Sequence, residues 1–399
     1  MAEKIKGKAV VGQSGGPTMV INQSLVGVVE EARKHPEITG ILGAKHGVRG
    51  IIEEKFLDFA SVDQATLEAV AVTPSSALGS SRDKPDAEYC KKIFDVFRKH
   101  DVRYFYYIGG NDSADTARIV NDLAKDNNYD LQAFHVPKTI DNDLRTTDHC
   151  PGYGSAAKFV ASAFMGDDQD NRALPGVKIN VVMGRHAGFL TAASVLARTR
   201  DGEGPHLIYV PEVDFIEDKF LADVDAIMKK CGRCMIAVSE GIHDAQGNAI
   251  TAKVAASNER DAHGNIQLSG TGALGDYLSG LIKAKLGVKR VRADTFGYLQ
   301  RSFAGIYSKV DAAEARIVGQ KAVEYSTQGI SGSSVAMKRV GNGANYAVEY
   351  FHTDIKNVAR ETKPLPREFI NAEGNNILDS FKDYVAPLVD VLPTVGYLF

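Results

Sequence analysis

Two carboxylates separated by a single residue, Asp141 and Asp143, stand in the segment PKTIDND. If the segment is extended, its side chains alternate in direction, so both carboxylates share a face with Thr139. Such a pair suits a general base beside a group that orients it or binds a metal ion, and Lys138 adds a fixed cation for phosphate. The alternative is a polar turn in which Asp and Asn bind their own backbone. The position of PKTIDND after an apolar run favours a site.

Two glycine-rich stretches also follow apolar runs, GQSGGP at 12–17 and GGNDS at 109–113. Loops of this type bring backbone N–H groups close to phosphate, and a helix that starts after GGNDS would add a favourable dipole. GQSGGP matches neither the P-loop nor GxGxxG, so a tight turn is the alternative there. Asp112 is unexpected, because its carboxylate would repel phosphate, although the first turn of a helix favours an acidic residue.

A third polar stretch, MGRHAG, places Arg185 and His186 after another apolar run. Arg185 suits a forked contact with an anionic group, although an arginine at a strand end is often simply solvated. We interpret His186 as structural. Three further arginines, Arg82, Arg292 and Arg301, are too far apart in sequence for their spacing to predict convergence.

Six short apolar runs precede the loops: KAVV, VRYFYYI, AFHV, VKINVVM, HLIYV and MIAVS. They alternate with helical patterns, which indicates βαβ units in which every loop after a strand emerges at one edge of a parallel sheet, where ligands bind. We therefore predict an α/β fold with two similar doubly wound lobes and mainly parallel sheets around a central cleft. Asn342 and Gly343 predict a C-terminal β-hairpin, added to the second lobe.

Composition excludes some functions. The 47 basic and 50 acidic residues give a net charge of −3, which provides no general field for nucleic acid or an anionic membrane. Without an apolar run of about 18 residues or a signal-like start, we expect a cytoplasmic protein with no membrane contact. Four cysteines are too few for a disulfide framework, and the CxxC of Cys231 and Cys234 lacks a second pair for zinc.

A GxGxxG pattern is formed by Gly270, Gly272 and Gly275, with Asp294 at a suitable distance for a ribose contact. The residues before it form a polar turn and a run that is barely long enough for a strand. A dinucleotide-dependent oxidoreductase is therefore a distant alternative.

The ordered set SGG, GGNDS, PKTIDND, MGRHAG, SEG and FGYLQR resembles the phosphofructokinase family, from about residue 8 to about residue 305. The resemblance implies a phosphoryl-donor lobe of residues 1–140 plus about 265–310. It implies a sugar-phosphate lobe of about 141–264 plus 311–399.

The resemblance also implies residue roles. Asp141 would accept the proton of the sugar 1-hydroxyl, supported by Asp143, while Thr139 flanks the transferred phosphoryl group and Gly16 faces the donor. The implied contacts to the sugar phosphate are Met183, Gly184, Arg185, Glu240, Arg292, Tyr298 and Arg301.

Two positions indicate the donor. Members that use ATP have glycine at the two positions where this chain has Asp112 and Lys138, so the chain is similar to the pyrophosphate-using branch. Tyr298 is also similar to the residue of that branch. A carboxylate about 4 Å from a third phosphate repels it by about 4 kcal/mol at an effective dielectric near 20. We expect Asp141, Asp112, Lys138 and Arg185 to act in reversible transfer from pyrophosphate to the 1-hydroxyl of fructose 6-phosphate, in glycolysis or gluconeogenesis.

The alternatives are an ATP-dependent 6-phosphofructokinase and a non-catalytic sugar-phosphate binder. The resemblance implies Mg²⁺ and a homo-oligomer, either a dimer or a tetramer. The family's metal-contacting acid is Asn111 here, and an amide holds Mg²⁺ more weakly, so pyrophosphate itself is expected to carry much of the metal. Sedoheptulose 7-phosphate is a further conceivable substrate.

Overall fold

The computed structural model describes residues 5–253, 272–359 and 361–398. They fall into two compact units. The first unit consists of Met1–Ile140, Leu144–Tyr153 and Arg301–Thr362, and the second consists of Asp141–Asp143, Gly154–Gln300 and Lys363–Phe399.

The chain alternates between strands and helices along most of its length. The strands are β1 Gly7–Gln13, β2 Ile38–Ala44, β3 Phe56–Asp58, β4 Val102–Gly109, β5 Gln132–Pro137, β6 Val177–Val182, β7 Leu207–Tyr209, β8 Cys234–Ser239, β9 Val291–Thr295, β10 Ser333–Arg339 and β11 Val348–Asp354. The α-helices are α1 Ile21–Ala32, α2 Val48–Ile52, α3 Gln64–Ala71, α4 Ala87–Lys99, α5 Asn111–Asp126, α6 Tyr153–Ala173, α7 Phe189–Ala192, α8 Glu217–Cys231, α9 Ala273–Leu286, α10 Lys309–Thr327 and α11 Ser380–Val389. Short 3₁₀ segments lie at Phe59–Ser61, Ala193–Ala197, Ile250–Lys253, Gly297–Arg301, Gly343–Asn345, Ile355–Asn357 and Arg367–Phe369.

The first unit is built on a seven-stranded sheet in the order β11-β10-β5-β4-β1-β2-β3. Its five central strands are parallel, and the edge strands β3 and β11 are antiparallel to their neighbours. One apolar core joins the sheet to α1, α3 and α10, and a second joins the opposite face to α2, α4 and α5. Helices on both faces and parallel central strands give the doubly wound layering that was predicted.

The second unit has a smaller sheet, β7-β8-β6-β9, in which every pair is parallel. Its main core is formed by the strands with α8 and α9, through side chains such as Phe220 and Leu278. Helix α6 contributes Phe159 and Phe164, whose rings contact Phe296 edge to face, just beyond β9.

All six predicted apolar runs form strands, and within each sheet they run parallel. Helix α1 buries Ile21, Leu25 and Val28, which recur at the spacing of one helical face. Strands β2, β3 and β9 were not predicted; β9 reads VRADT, which lacks the apolar character of the predicted strands and is partly exposed.

The predicted lobe boundaries are wrong in two places. Described residues from 272 to 300 belong to the second unit, because β9 pairs with β6 rather than with the first sheet. Residues 311–362 belong to the first unit, because β10 pairs with β5 and the hairpin extends that sheet. The hairpin itself is confirmed, with β10 and β11 antiparallel around a loop that contains Asn342 and Gly343. Pairing between strands so distant in sequence has no local signal.

The CxxC segment is a helix-to-strand turn. Cys231 ends α8, Gly232 is left-handed with φ 71°, and Cys234 begins β8. Burial raises the pKa of the Cys234 thiol, which is the opposite of what a reactive cysteine requires. The turn is a structural feature.

The GxGxxG pattern lies partly outside the described residues, because Gly270 is not among them. Gly272 precedes α9 and Gly275 lies within it. The Asp294 carboxylate, proposed for a ribose contact, lies 3.0 Å from the Lys178 ammonium.

Among the described helices, none combines the length and apolar character needed to cross a bilayer.

Candidate active site

The first unit brings three predicted loops together. Strands β1, β4 and β5 are neighbours and parallel, so GQSGGP, GGNDS and PKTIDND all leave the sheet at its carboxyl edge. This is the edge at which open α/β sheets bind ligands. Because β1, β4 and β5 are parallel neighbours, the predicted convergence of these loops at one edge is confirmed.

Lys138 connects the three loops. Its side chain is buried, with the residue 3% exposed, and its Nζ donates to Gly16 O at 2.7 Å. Its backbone N–H donates to Gly109 O at 3.0 Å. A Cβ placed on Gly15 would lie 3.2 Å from the same ammonium. The loops therefore enclose a fixed positive charge beside a glycine backbone, which suits a phosphate.

Arg301 also lies at the GQSGGP loop. A Cβ placed on Gly16 would lie 3.1 Å from the Arg301 Cζ atom, so the guanidinium packs directly on that glycine. The family resemblance implied a contact between Arg301 and the sugar phosphate, whereas within the first unit Arg301 lies at the same glycine loop as Lys138. The two cations and the glycine loop form the donor cluster, defined here as Gly15, Gly16, Lys138 and Arg301.

Helix α5 begins beside this cluster, with Gly110 as its N-cap and Asp112 in its first turn. The predicted helix is therefore confirmed, and it begins within GGNDS, directly after the two glycines. The Asp112 carboxylate is 61% exposed and lies 3.7 Å from the Lys84 ammonium. A carboxylate that is solvated and close to a cation repels a neighbouring phosphate less strongly than a buried one.

The GGNDS loop is shaped by a close contact and by a neutral histidine. A Cβ on Gly109 would lie 1.9 Å from Ser113 Oγ, so no larger residue fits there. Ser113 Oγ is also 2.6 Å from Ser14 Oγ in the GQSGGP loop. His135 Nε2 donates to Gly109 O at 2.8 Å, and burial lowers the pKa of His135 to about 4. The loop is thus supported by an uncharged hydrogen-bond donor.

The loop around Arg82, whose serines were not predicted to contribute, completes this edge. Ser80 Oγ donates to Gly15 O at 2.6 Å, and Gly15 N donates to Ser81 O at 3.0 Å. Asp83, two residues further on, pairs with Arg49 at 2.6 Å. The pair of serines after a glycine signalled only a turn, and its docking on Gly15 depends on tertiary structure.

The PKTIDND segment is not a continuous extended strand. Thr139 N donates to Pro151 O at 3.2 Å and Thr139 bridges to Gly152, but Asn142 has φ 58°. The strict alternation that put Asp141 and Asp143 on one face therefore fails at Asn142. Asn142 is buried and its Nδ2 donates to the Tyr384 hydroxyl at 2.8 Å.

In the second unit, MGRHAG follows β6 and SEG follows β8, and the two loops interlock. Ser239 Oγ donates to Gly184 O at 2.5 Å, and Glu240 N donates to Val182 O at 2.9 Å. A Cβ on Gly241 would lie 2.1 Å from Arg185 O. The backbones of Gly184, Arg185 and Glu240 are therefore held at one edge of the second sheet.

Asp141 joins this edge as well. Partial burial lowers the pKa of His186, the Arg185 guanidinium lowers it further, and the Asp141 carboxylate acts in the opposite direction. The two charged groups thus both lie near the His186 ring. Within the second unit, the predicted base and the predicted anion-binding arginine thus both act electrostatically on His186.

Gln300 fastens the FGYLQR segment to the same edge. Its Oε1 accepts from Met183 N at 3.2 Å, and its Nε2 donates to Gly297 O at 2.8 Å. Tyr298, between them in sequence, is 50% exposed. The sugar-phosphate cluster is defined here as Asp141, Met183–Arg185, Glu240 and Tyr298.

Glu212 accepts a hydrogen bond from the MGRHAG loop and helps to hold the loop in place. Its Oε1 accepts from Gly188 N at 2.8 Å and from Leu365 N at 2.7 Å, and burial raises its pKa. The sequence contained no signal for this role, because the contacts join three distant segments.

Arg292 does not join the sugar-phosphate cluster of its own chain. It pairs in register with Lys178, near the amino end of β6, whereas MGRHAG follows the carboxyl end of that strand. The exposed Arg292 thus lies several residues from the edge that holds Arg185.

The described residues fit a metal ion carried by phosphate better than one held in a protein cage. No group of three or more His, Cys, Asp or Glu side chains suited to a metal occurs among residues 5–253, 272–359 and 361–398. Asn111 uses its Nδ2 to donate to Glu361 O at 2.7 Å, which fixes the amide and leaves Oδ1 as its oxygen ligand. Mg²⁺ commonly binds one or two side-chain oxygens, several waters and substrate phosphates.

Comparison with known proteins agrees with this geometry. The phosphofructokinase family model matches residues 8–326. The chain is 56% identical over 384 residues to the pyrophosphate–fructose 6-phosphate 1-phosphotransferase of Rhodospirillum rubrum, covering 96% of this chain and 94% of that protein. It is 39% identical over 391 residues to the protein of that name from Halomonas elongata, covering 96% and 91%.

Among solved structures, the chain is similar to the pyrophosphate-dependent phosphofructokinase of Nitrosospira multiformis. The TM-score is 0.85 at 35% identity, with 98% of this chain and 94% of that chain covered. The chain belongs to the phosphofructokinase family. The family resemblance is therefore confirmed, and similarity extends beyond the last recognised motif to nearly the whole length.

Proposed function

We propose that this protein catalyses the reversible transfer of a phosphoryl group from pyrophosphate to the 1-hydroxyl of fructose 6-phosphate. The products are fructose 1,6-bisphosphate and phosphate. The observation that carries the proposal is Lys138, a buried ammonium 2.7 Å from Gly16 O at the loop edge of the first sheet. The similar proteins from Rhodospirillum rubrum and Nitrosospira multiformis, both named for pyrophosphate, support the choice of donor.

The donor cluster would bind pyrophosphate. The backbone N–H group of Gly16, the start of α5 and two cations would supply the positive potential that a compact polyvalent anion needs. Pyrophosphate has no nucleoside to bury, so charge and hydrogen bonds must provide most of its binding energy. A buried lysine and a packed arginine meet that requirement better than the glycine typical of ATP-using relatives.

The sugar-phosphate cluster would bind and activate the acceptor. Asp141 takes the proton of the 1-hydroxyl as its oxygen attacks phosphorus, and the bond from phosphorus to the bridging oxygen breaks, releasing phosphate. Arg185 neutralises charge on the transferred group, and Thr139 flanks it. Met183, Gly184, Glu240 and Tyr298 would contact the sugar phosphate, with Asp143 supporting Asp141.

Bound Mg²⁺ would neutralise charge on the phosphate oxygens. Asn111 Oδ1 is the protein oxygen that we assign to it, and pyrophosphate and water would supply its other ligands. The role assigned to Arg292 stays a prediction, and its position in this chain gives it no support. A homo-oligomer, a cytoplasmic location and use of sedoheptulose 7-phosphate also stay predictions.

The test is the initial rate with pyrophosphate and with ATP at equal free Mg²⁺, each with fructose 6-phosphate. Pyrophosphate should give the larger kcat/KM, and release of phosphate should match formation of the bisphosphate one to one. Asp141→Asn keeps the side-chain shape and should remove about 99% or more of the rate, as expected for loss of a general base. Faster turnover with ATP, or full activity of Asp141→Asn, would overturn the proposal.

A further inference from the structure

A buried ionic cluster lies in the first unit, further along the chain than PKTIDND and outside every motif discussed above. At its centre is His149, whose side chain is 2% exposed. Its Nδ1 lies 2.9 Å from Asp148 Oδ2, and its Nε2 lies 2.7 Å from Glu314 Oε2 on α10. Each ring nitrogen thus faces a carboxylate oxygen at hydrogen-bond distance.

This geometry favours a doubly protonated ring. A neutral imidazole has a single N–H, so its second nitrogen would turn a lone pair toward a carboxylate. With both carboxyl groups ionised, both nitrogens therefore carry protons. Burying one carboxylate against an imidazolium is common, whereas two carboxylates require a second cation for neutrality.

Arg339 provides that second cation. Its Nε donates to Asp148 Oδ2 at 3.1 Å, so two positive and two negative groups balance. Tyr346 closes the cluster: its hydroxyl donates to Glu314 Oε1 at 2.6 Å and lies 3.3 Å from His149 Nε2. The groups that face the histidine come from its own segment, from α10 and from the hairpin.

The pKa directions agree with the geometry. Burial lowers the pKa of His149, but the hydrogen bonds with Asp148 and Glu314 outweigh it, and the net pKa is raised. Burial and the neighbouring Glu314 raise the pKa of Tyr346, so its hydroxyl keeps its proton. Stabilisation by a raised histidine pKa is complete below the ordinary value and is lost as pH rises through the raised value.

The cluster anchors a segment that reaches the candidate site. Asp148 N donates to Met337 O at 2.8 Å, and Met337 N donates to Thr147 Oγ1 at 3.0 Å, which docks the segment on β10. Thr147 Oγ1 donates in turn to the His149 carbonyl at 2.9 Å. These bonds hold both sides of the histidine.

The C-terminal end of this segment, Pro151 and Gly152, contacts PKTIDND. Gly152 N donates to Asp311 Oδ1 at 2.8 Å, three residues before Glu314 on α10. Pro151 O accepts from Thr139 N at 3.2 Å, and Thr139 bridges to Gly152. Helix α10 therefore holds the segment at two points, through Glu314 and through Asp311, and the segment holds the backbone of Thr139.

We propose that His149, as an imidazolium between Asp148 and Glu314, is a positioning residue for phosphoryl transfer. It fixes residues 147–152, and through them it fixes Thr139. The proposal rests on the proposed function only in that Thr139 flanks the transferred group. His149 does not contact substrate and exchanges no proton with it.

The first test needs no substrate. The full-length protein is labelled with ¹⁵N in its histidine rings, and His149 is assigned from the signals missing in His149→Gln. Both ring nitrogens should show the shifts of a protonated imidazolium at pH 7.5, above the ordinary histidine pKa of about 6.5. One unprotonated nitrogen at pH 7.5 would overturn the proposal, whether or not the protein has the proposed activity.

The second test measures catalysis. His149→Gln should lower kcat by at least roughly tenfold while each KM changes less, because misplacement of a positioned group mainly affects the chemical step. The matched control is His100→Gln, since His100 Nε2 also lies 2.7 Å from a glutamate, Glu54, but at the surface. The control should keep the wild-type kcat. A folded His149→Gln protein with wild-type kcat would overturn the proposal.

If His149→Gln does not fold, a third variant still tests the proposal. Glu314→Gln keeps the shape and removes one of the two negative charges around the ring. The wild-type kcat should fall at alkaline pH as the imidazolium loses its proton, and Glu314→Gln should move that fall to lower pH. An alkaline limb at the same pH in both proteins would overturn the proposal.

Discussion

Replacement of Asp112 by asparagine tests the electrostatic part of donor selection. The change keeps the side-chain shape in the first turn of α5 and removes its charge. If Asp112 repels the third phosphate, the variant should gain activity with ATP.

The magnitude follows from the exposure of the carboxylate. At about 4 Å, two unit charges interact by about 1 kcal/mol in water and about 4 kcal/mol near a protein surface. Asp112 is 61% exposed and Lys84 lies 3.7 Å from it, so the repulsion belongs in the lower half of this range. About 2 kcal/mol corresponds to a gain of roughly 30-fold in kcat/KM for ATP, well below the roughly thousandfold gain that the full 4 kcal/mol would give.

The assay compares kcat/KM for both donors in the wild type and in Asp112→Asn at several salt concentrations. Because Asp112 is exposed, salt should screen the repulsion, and the gain for ATP should shrink as the Debye length falls from about 10 Å at 0.1 M to 3 Å at 1 M. Asp126→Asn is the matched control, since Asp126 lies on the same helix about 20 Å from Asp112 at 1.5 Å per residue.

A gain for ATP of less than about threefold at low salt would refute the electrostatic argument. So would an equal gain in Asp126→Asn, because the effect would then reflect net charge alone. In either case the exclusion of ATP would have to be steric, and Lys138 would be the residue responsible.

Three further outcomes are expected. Lys138→Met keeps the volume but removes the buried charge, and it should lower kcat/KM for pyrophosphate by roughly a hundredfold, as loss of a preorganised stabilising group does. Glu212→Ala removes the acceptor of Gly188 N and should raise KM for fructose 6-phosphate roughly tenfold with KM for pyrophosphate unchanged, whereas Glu212→Gln should stay near wild type. The pKa of His135 is lowered to about 4, so the unfolded chain takes up its proton first as pH falls below about 6.5, and stability should drop by about 2 kcal/mol between pH 7 and pH 5. Denaturant unfolding should show that this drop is smaller in His135→Gln; an equal drop would mean that other groups cause it.

Much of the first unit's site could be predicted because its signals are local. A parallel sheet places each loop at the same edge, so the order of strand and loop was enough to bring Gly16, Asp112 and Lys138 together. Residue type then supplied the charge. The start of α5 at GGNDS was likewise predictable from the glycines of that loop.

Positions that depend on strand register or backbone strain could not be predicted. Arg292 was grouped with Arg185 by resemblance, but its register with Lys178 places it toward the other end of the strand. Asn142 has a left-handed backbone, which breaks the alternation expected around Asp141. Neither feature leaves a periodic signal in sequence.

The sequence by itself determined the chemistry: which strands end in phosphate-type loops, and which of those loops carry a lysine and a carboxylate. The tertiary structure decided how distant segments combine. In the folded protein, β10 and the hairpin belong to the first unit, and Arg301 packs against Gly16. His149 is buried between Asp148 and Glu314. Periodicity and residue type are local properties of the chain, whereas hydrogen bonds and ion pairs between segments far apart in sequence exist only once the fold has formed.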